Sequence, residues 1–216
     1  MQASTAAVAP AIPRSLFVTA LLYGGMVCIA GVLGAKQVAL GPLAVEAGIF
    51  AFLTLVVMAS ATAELHGADT ANRLVRWGFL PLIVSFLLIQ LVIAIPPAAK
   101  MEVARADAFT LTLGQGARLM FAGLIAYGTS QTLNVFLFDR LRSGTGRLVW
   151  LRAGIASVVS QIVDTLLFVT IAFWGVFPIA DLLLGQLAAK IVLSAVLVPV
   201  LITGYIALGR RIDQPE

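Results

Sequence analysis

The chain has 216 residues, of which 61% are hydrophobic and 11% charged, with a formal net charge of +4. That balance excludes a soluble globular domain, which needs far more polar surface, and marks an all-α polytopic membrane protein. A single cysteine (Cys28) and a single histidine (His66) leave no intrachain disulfide and no His- or Cys-ligated metal centre, and the basic excess reads as loop charge rather than nucleic-acid binding.

In chain order, a tail over 1–15 precedes six apolar runs: 16–35, 42–63, 74–97, 118–138, 151–177 and 181–209. Each offers the ~20 residues that a ~30 Å hydrocarbon core requires, and their continuity argues against the alternating pattern of a membrane barrel. The first run is longer than a signal-peptide core and only Arg14 precedes it, so it is expected to stay as a span. Gly41-Pro42 separates spans 1 and 2, and Glu64 to Asp69 opens the next loop. Pro96-Pro97 ends span 3, and the polar stretch Met101–Gln115 is expected to lie at an interface. Ser143-Gly144-Thr145-Gly146 forms a turn, and Pro178 divides spans 5 and 6. The six spans, over 16–209, form one transmembrane domain, followed by a tail over 210–216.

Alternating loops sort the cations unevenly. Arg14, Arg73, Arg76, Arg140, Arg142, Arg147, Arg152, Arg210 and Arg211 fall on one side, against Lys36, Lys100, Arg105 and Arg118 on the other. The richer side is cytoplasmic by the positive-inside rule, which puts both termini in the cytoplasm.

Polar residues inside apolar runs need a reason, because each is costly at membrane depth. Ser130-Gln131-x-x-Asn134-x-x-Leu137-Phe138 is echoed thirty residues later by Ser160-Gln161-x-x-Asp164-x-x-Leu167-Phe168. Tyr127, Gln131, Asn134 and Phe138 share a helical stripe, as do Ser157, Gln161, Asp164 and Phe168, with Phe173-Trp174 beyond. At 1.5 Å per residue, Asp164 lies ~20 Å from the inner end of its span and Lys190 ~13 Å from the outer end of the next. The two therefore meet at similar depth, as a structural salt bridge or as a charge pair that lines a site. Glu46 lies close enough to a span end to be solvated, and Gln90 suits an interhelical hydrogen bond. Glu64 is either a loop carboxylate paired with Arg73 or Arg76, or a site residue. Rings beside an amide and a carboxylate suit a flat heteroaromatic ligand. No phosphate loop, nucleophile elbow or catalytic set appears, so an enzyme is not expected and no catalytic residue or cofactor is assigned.

The stretch Ala126-Tyr127-Gly128-Thr129-Ser130-Gln131-Thr132-Leu133-Asn134-Val135-Phe136-Leu137-Phe138-Asp139-Arg140-Leu141-Arg142 resembles the fourth span of the bacterial queuosine precursor transporter family, also called vitamin-uptake-like transporters. The resemblance continues through Ser160–Phe168, Ile171-Ala172-Phe173-Trp174 and Ala188–Ser194, with Glu64-Leu65-His66-Gly67 similar to the loop entry after span 2. It departs at Asn134, where the family often has Asp, and at Ser60, near which it has an acidic residue. The resemblance implies a bacterial inner-membrane transporter importing 7-cyano-7-deazaguanine and 7-aminomethyl-7-deazaguanine, purine-like small molecules, through a midplane site between spans 4, 5 and 6. The substrate-binding residues expected are Gln131, Asn134, Gln161, Asp164, Lys190, Glu64, Tyr127, Phe168 and Trp174, with no metal. A substrate-binding subunit that needs a separate energising ATPase partner is the alternative. The partners expected are the purine-like substrate and the lipid bilayer, with no nucleic acid, and the Gly-rich first span leaves a homo-oligomer open.

Overall fold

The computed structural model describes residues 12–40, 43–114, 117–142, 148–175 and 179–214. Gly41-Pro42, Ser143–Gly146 and Pro178, the breaks expected from sequence, lie outside them, as do Gln115 and the first eleven residues. The elements run α1 (Arg14–Gly34), β1 (Gln37–Leu40), β2 (Leu43–Glu46), α2 (Gly48–His66), α3 (Ala68–Ala94), α4 (Val103–Leu113), α5 (Ala117–Arg140), α6 (Val149–Phe173) and α7 (Ala180–Ile212). Helix α7, at ~1.5 Å per residue, is about 50 Å long and carries Arg210 and Arg211 in its last turn rather than in a tail.

Helices α1, α2, α3, α6 and residues Leu183–Ile212 of α7 are long and apolar enough to cross a membrane. Helix α5 has the length, with 24 residues, but Thr129-Ser130-Gln131 and Asn134 dilute its apolarity. The bundle is organised around α2. Two-thirds of its apolar window (67%) is buried, against 6% for α3, so α2 is the post and α3 an outer wall. The wall is greasy: Trp77, Leu80, Val84, Leu87, Leu88 and Leu91 are all exposed. In a bilayer such a face meets lipid instead of water.

Two departures from the sequence reading concern the ends of α2. The run 42–63 was expected to be one span, yet residues 43–46 pair antiparallel with 37–40, in the register Gln37↔Glu46 and Val38↔Val45. Ala47 N–H adds a further bond to the Lys36 carbonyl at 2.8 Å. Gly48 then starts α2 against α1, where a Cβ would come within 2.7 Å of the Ala30 carbonyl, so only glycine permits the approach. At the other end Gly67, with φ of 87°, turns α2 directly into α3, so no extended loop follows Glu64. The expected interfacial stretch is the helix α4, with no buried residue.

Prolines within α3 and α7 pack on glycines of neighbouring helices. A Cβ at Gly24 would lie 3.5 Å from the Pro81 ring and one at Gly154 3.2 Å from that of Pro199. Proline removes a helical hydrogen bond, and its ring clashes with the carbonyl four residues back, which kinks a helix.

Candidate functional site

A cavity of ≈ 250 Å³ opens between α1, the hairpin, α2, α3 and α5, and ends on α6 and α7. Most of its wall is apolar, with Val27, Ile49, Phe52 and Leu82 among the lining. Four of the expected site residues reach it: Tyr127, Asp164, Phe168 and Lys190. Lys190 Nζ lies 3.3 Å from Asp164 Oδ2, and Ser130 Oγ donates to Asp164 Oδ1 at 3.2 Å. Asp164 and Lys190 thus meet, as the helical rise along the two spans predicts. Both charges are more than nine-tenths buried, so each is the other's main compensation for lost water.

The aromatic wall is fixed by packing. Tyr127 O–H donates to Tyr23 at 2.7 Å, and the Tyr127 ring stands edge-on to Phe79 at 5.0 Å and to Phe52 at 6.4 Å. Phe168 is edge-on to Phe173 at 6.2 Å. Trp174, the C-cap of α6, is exposed and does not line the cavity.

The other expected residues divide. Gln131, Asn134 and Gln161 are fully buried and do not line the cavity. Asn134 Nδ2 donates to Ser60 Oγ at 3.0 Å. Gln131 and Gln161 have no hydrogen-bond partner at either end of their amides among the described residues, and neither has the Ser157, Thr165 or Ser194 hydroxyl. Unpaired amides and hydroxyls in apolar surroundings cost roughly 1–3 kcal/mol each. A polar layer on α5, α6 and α7 is therefore held at a cost in stability. The buried Nε2 of Gln90 is also unpartnered among the described residues, so the hydrogen bond expected there is not made by that nitrogen.

Glu64 pairs neither with Arg73 nor with Arg76. Its Oε2 lies 3.3 Å from Arg152 Nη1, and Arg152 also donates through Nε and Nη2 to the Phe138 carbonyl at 3.1 and 3.0 Å. The guanidinium stands 4.2 Å from the centroid of the Phe138 ring. Arg152, counted in sequence among loop cations, is buried within α6 and ties α2 to α5. At the same end Ser15 N–H and Oγ donate to Asp213 at 2.8 and 2.6 Å, and Ser15 Oγ meets His66 Nε2 at 2.8 Å. The Ser15 hydroxyl, then its backbone N–H, hold the Asp213 carboxyl below the usual carboxylate range.

Glu46, read from sequence as solvated near a span end, is instead turned into the bundle. It lines the cavity with Asp164 and Lys190, and its Oε1 accepts from Gln186 Nε2 at 3.3 Å. The clue available was the Gly41-Pro42 break, from which a hairpin could have carried Glu46 back over the bundle.

The profile of the family described as "Putative vitamin uptake transporter" matches residues 46–204. The chain belongs to this family. It is a multi-pass membrane protein. It is 31% identical over 145 residues to a protein of Bacillus subtilis (strain 168) named "Probable queuosine precursor transporter", covering 66% of this chain and 62% of that protein. It is 29% identical over 128 residues to the "Queuosine precursor transporter" of Escherichia coli (strain K12), covering 59% and 54%. The matched stretch thus spans less than two-thirds of either curated relative. No solved structure matches.

Proposed function

We propose that this protein carries a queuosine precursor, 7-cyano- or 7-aminomethyl-7-deazaguanine, across the bacterial inner membrane, with α1, α2, α3, α5, α6 and α7 as six spans and the Arg152 end cytoplasmic. The observation that carries the reading is the cavity that ends on the buried Asp164–Lys190 pair between aromatic side chains. Its volume is near the small end of the ~300–1,000 Å³ typical of ligand pockets, which suits one bicyclic base. The names of the two relatives support the same substrate class.

The chemistry follows from the donor set. A guanine edge presents adjacent N–H groups, and the Asp164 carboxylate accepts two in parallel once Lys190 swings aside. Lys190 then donates to a ring carbonyl or nitrogen, so neither charge is left bare. Tyr127 and Phe168 offer ring faces and edges to the flat bicycle. Below, the amides of Gln131 and Gln161 and the oxygen of Asn134 furnish hydrogen bonds for a base moving inward between α5, α6 and α7. The Arg152–Glu64 tie closes that route at the inner end, as alternating access requires.

Uptake of labelled base by proteoliposomes holding only the purified chain tests the proposal. Saturable uptake that Asp164→Asn abolishes is expected. Uptake that appears only with an added ATPase complex would favour an energised substrate-binding subunit, and near-normal uptake by the variant would remove Asp164 from the site.

A further inference from the structure

Glu46 closes β2, paired in register with Gln37, and the hairpin sets its side chain against α7. Gln186, buried on α7 one turn before Lys190, donates to Oε1 and fixes where the carboxylate points. Asp164 and Lys190 both lie close enough to act on Glu46 electrostatically, and all three line one cavity. Lys190 is already committed to Asp164 at 3.3 Å, and among the described residues no cation pairs directly with Glu46. With all three ionised, the cavity carries two carboxylates against one ammonium. The second carboxylate comes from the hairpin side of the cavity.

We infer that Glu46 determines specificity in this cavity: its carboxylate receives the protonated primary amine of a cationic base, while Asp164 reads the ring edge. Gln186 is the positioning residue for that carboxylate. This rests on the function proposed above and adds a direction to it. A cationic ligand neutralises the excess charge in a low-dielectric space, where a charge-assisted hydrogen bond is strong. A neutral ligand with the same ring gains no such partner and leaves Glu46 to bind a proton or remain uncompensated. The cavity therefore separates two bases that differ only in the arm: an aminomethyl group, cationic at neutral pH, and a nitrile, which is neutral.

The test is ligand-induced thermal stabilisation of the full chain in detergent, titrated separately with 7-aminomethyl- and 7-cyano-7-deazaguanine. The wild-type chain is expected to bind the amine at least tenfold more tightly than the nitrile. Glu46→Gln should weaken the amine about tenfold and leave the nitrile within about twofold, a change of one charge-assisted contact. Glu46→Asp should retain part of the preference. Equal wild-type affinity for the two bases overturns the inference but leaves the proposed function standing, and needs no variant. Equal weakening of both bases by Glu46→Gln overturns it as well. Wild-type binding of neither base, with no uptake of either, overturns both readings together.

Discussion

Two buried ion pairs in this bundle have the same length and different surroundings. Lys190–Asp164 and Arg152–Glu64 both measure 3.3 Å between side chains that are about nine-tenths hidden. Around Arg152 the fit is full: a carboxylate, a carbonyl accepting twice and an aromatic face take up the guanidinium. The fork geometry of arginine makes such multiple engagement possible, and lysine could not reproduce it. Around Lys190 one carboxylate is engaged, a second stands nearby, and a cavity lies alongside. The first pair is the more firmly held of the two. The second has space and partners with which to rearrange. Distance alone would not have separated them; what the remaining donors and acceptors do is what separates them.

The largest expected effect breaks the tighter pair. Arg152→Ala leaves Glu64 and the Phe138 carbonyl buried without their donors, which should destabilise the fold by about 3–5 kcal/mol. Thermal unfolding in detergent measures this, and a variant as stable as the wild type would end the claim that Arg152 is structural. Asp164→Asn should show the opposite signature. Uptake should fall to background, at least about a hundredfold down, from the loss of two charge-assisted hydrogen bonds, while the unfolding temperature falls less than in Arg152→Ala, because a second carboxylate, Glu46, lines the same cavity and can take up Lys190. Equal loss of stability in both variants would erase the distinction.

A smaller effect sharpens it. Gln131→Leu and Gln161→Leu replace unpartnered amides by side chains of similar volume, so each should stabilise by about 1–2 kcal/mol. Uptake should fall in the same variants. Gain of stability without loss of uptake would show that the amides do not meet the passing base. The smallest effect is at the Ser15–Asp213 contact. Because its folded carboxyl is held low, Asp213 contributes stability above the ordinary carboxylate range, and that contribution disappears as pH falls through the lowered folded value. Ser15→Ala should narrow the gap in unfolding temperature between neutral and acidic pH, and an unchanged gap would remove the hydroxyl from the account.

The Asp164–Lys190 pair was legible in sequence because helical rise is a constant, so depth can be computed from residue number. Tyr127 and Phe168 were legible because they share stripes with polar groups at helical spacing. Glu46 was not, since two strands of four residues carry too little period to outvote an apolar run. Arg152 lay inside the run drawn from 151 and was still counted as a loop charge. Charge sorting by loops treats every cation near a span end as solvated, and Arg152 is buried because a carbonyl, a carboxylate and a ring happen to converge on it from two other helices. Gln131 and Gln161 were recognised as exceptional, but their sealing from the cavity depends on packing that periodicity does not encode.

The last two turns of α2 carry two ties at that end of the bundle. Glu64 holds α5 and α6 through Arg152, and two residues on His66 meets Ser15, which is fastened to Asp213 at the end of α7. These are separate latches on a single post. Drawing Arg152 off Glu64 would undo the α5–α6 latch alone, and α1 and α7 would keep theirs through Ser15, His66 and Asp213.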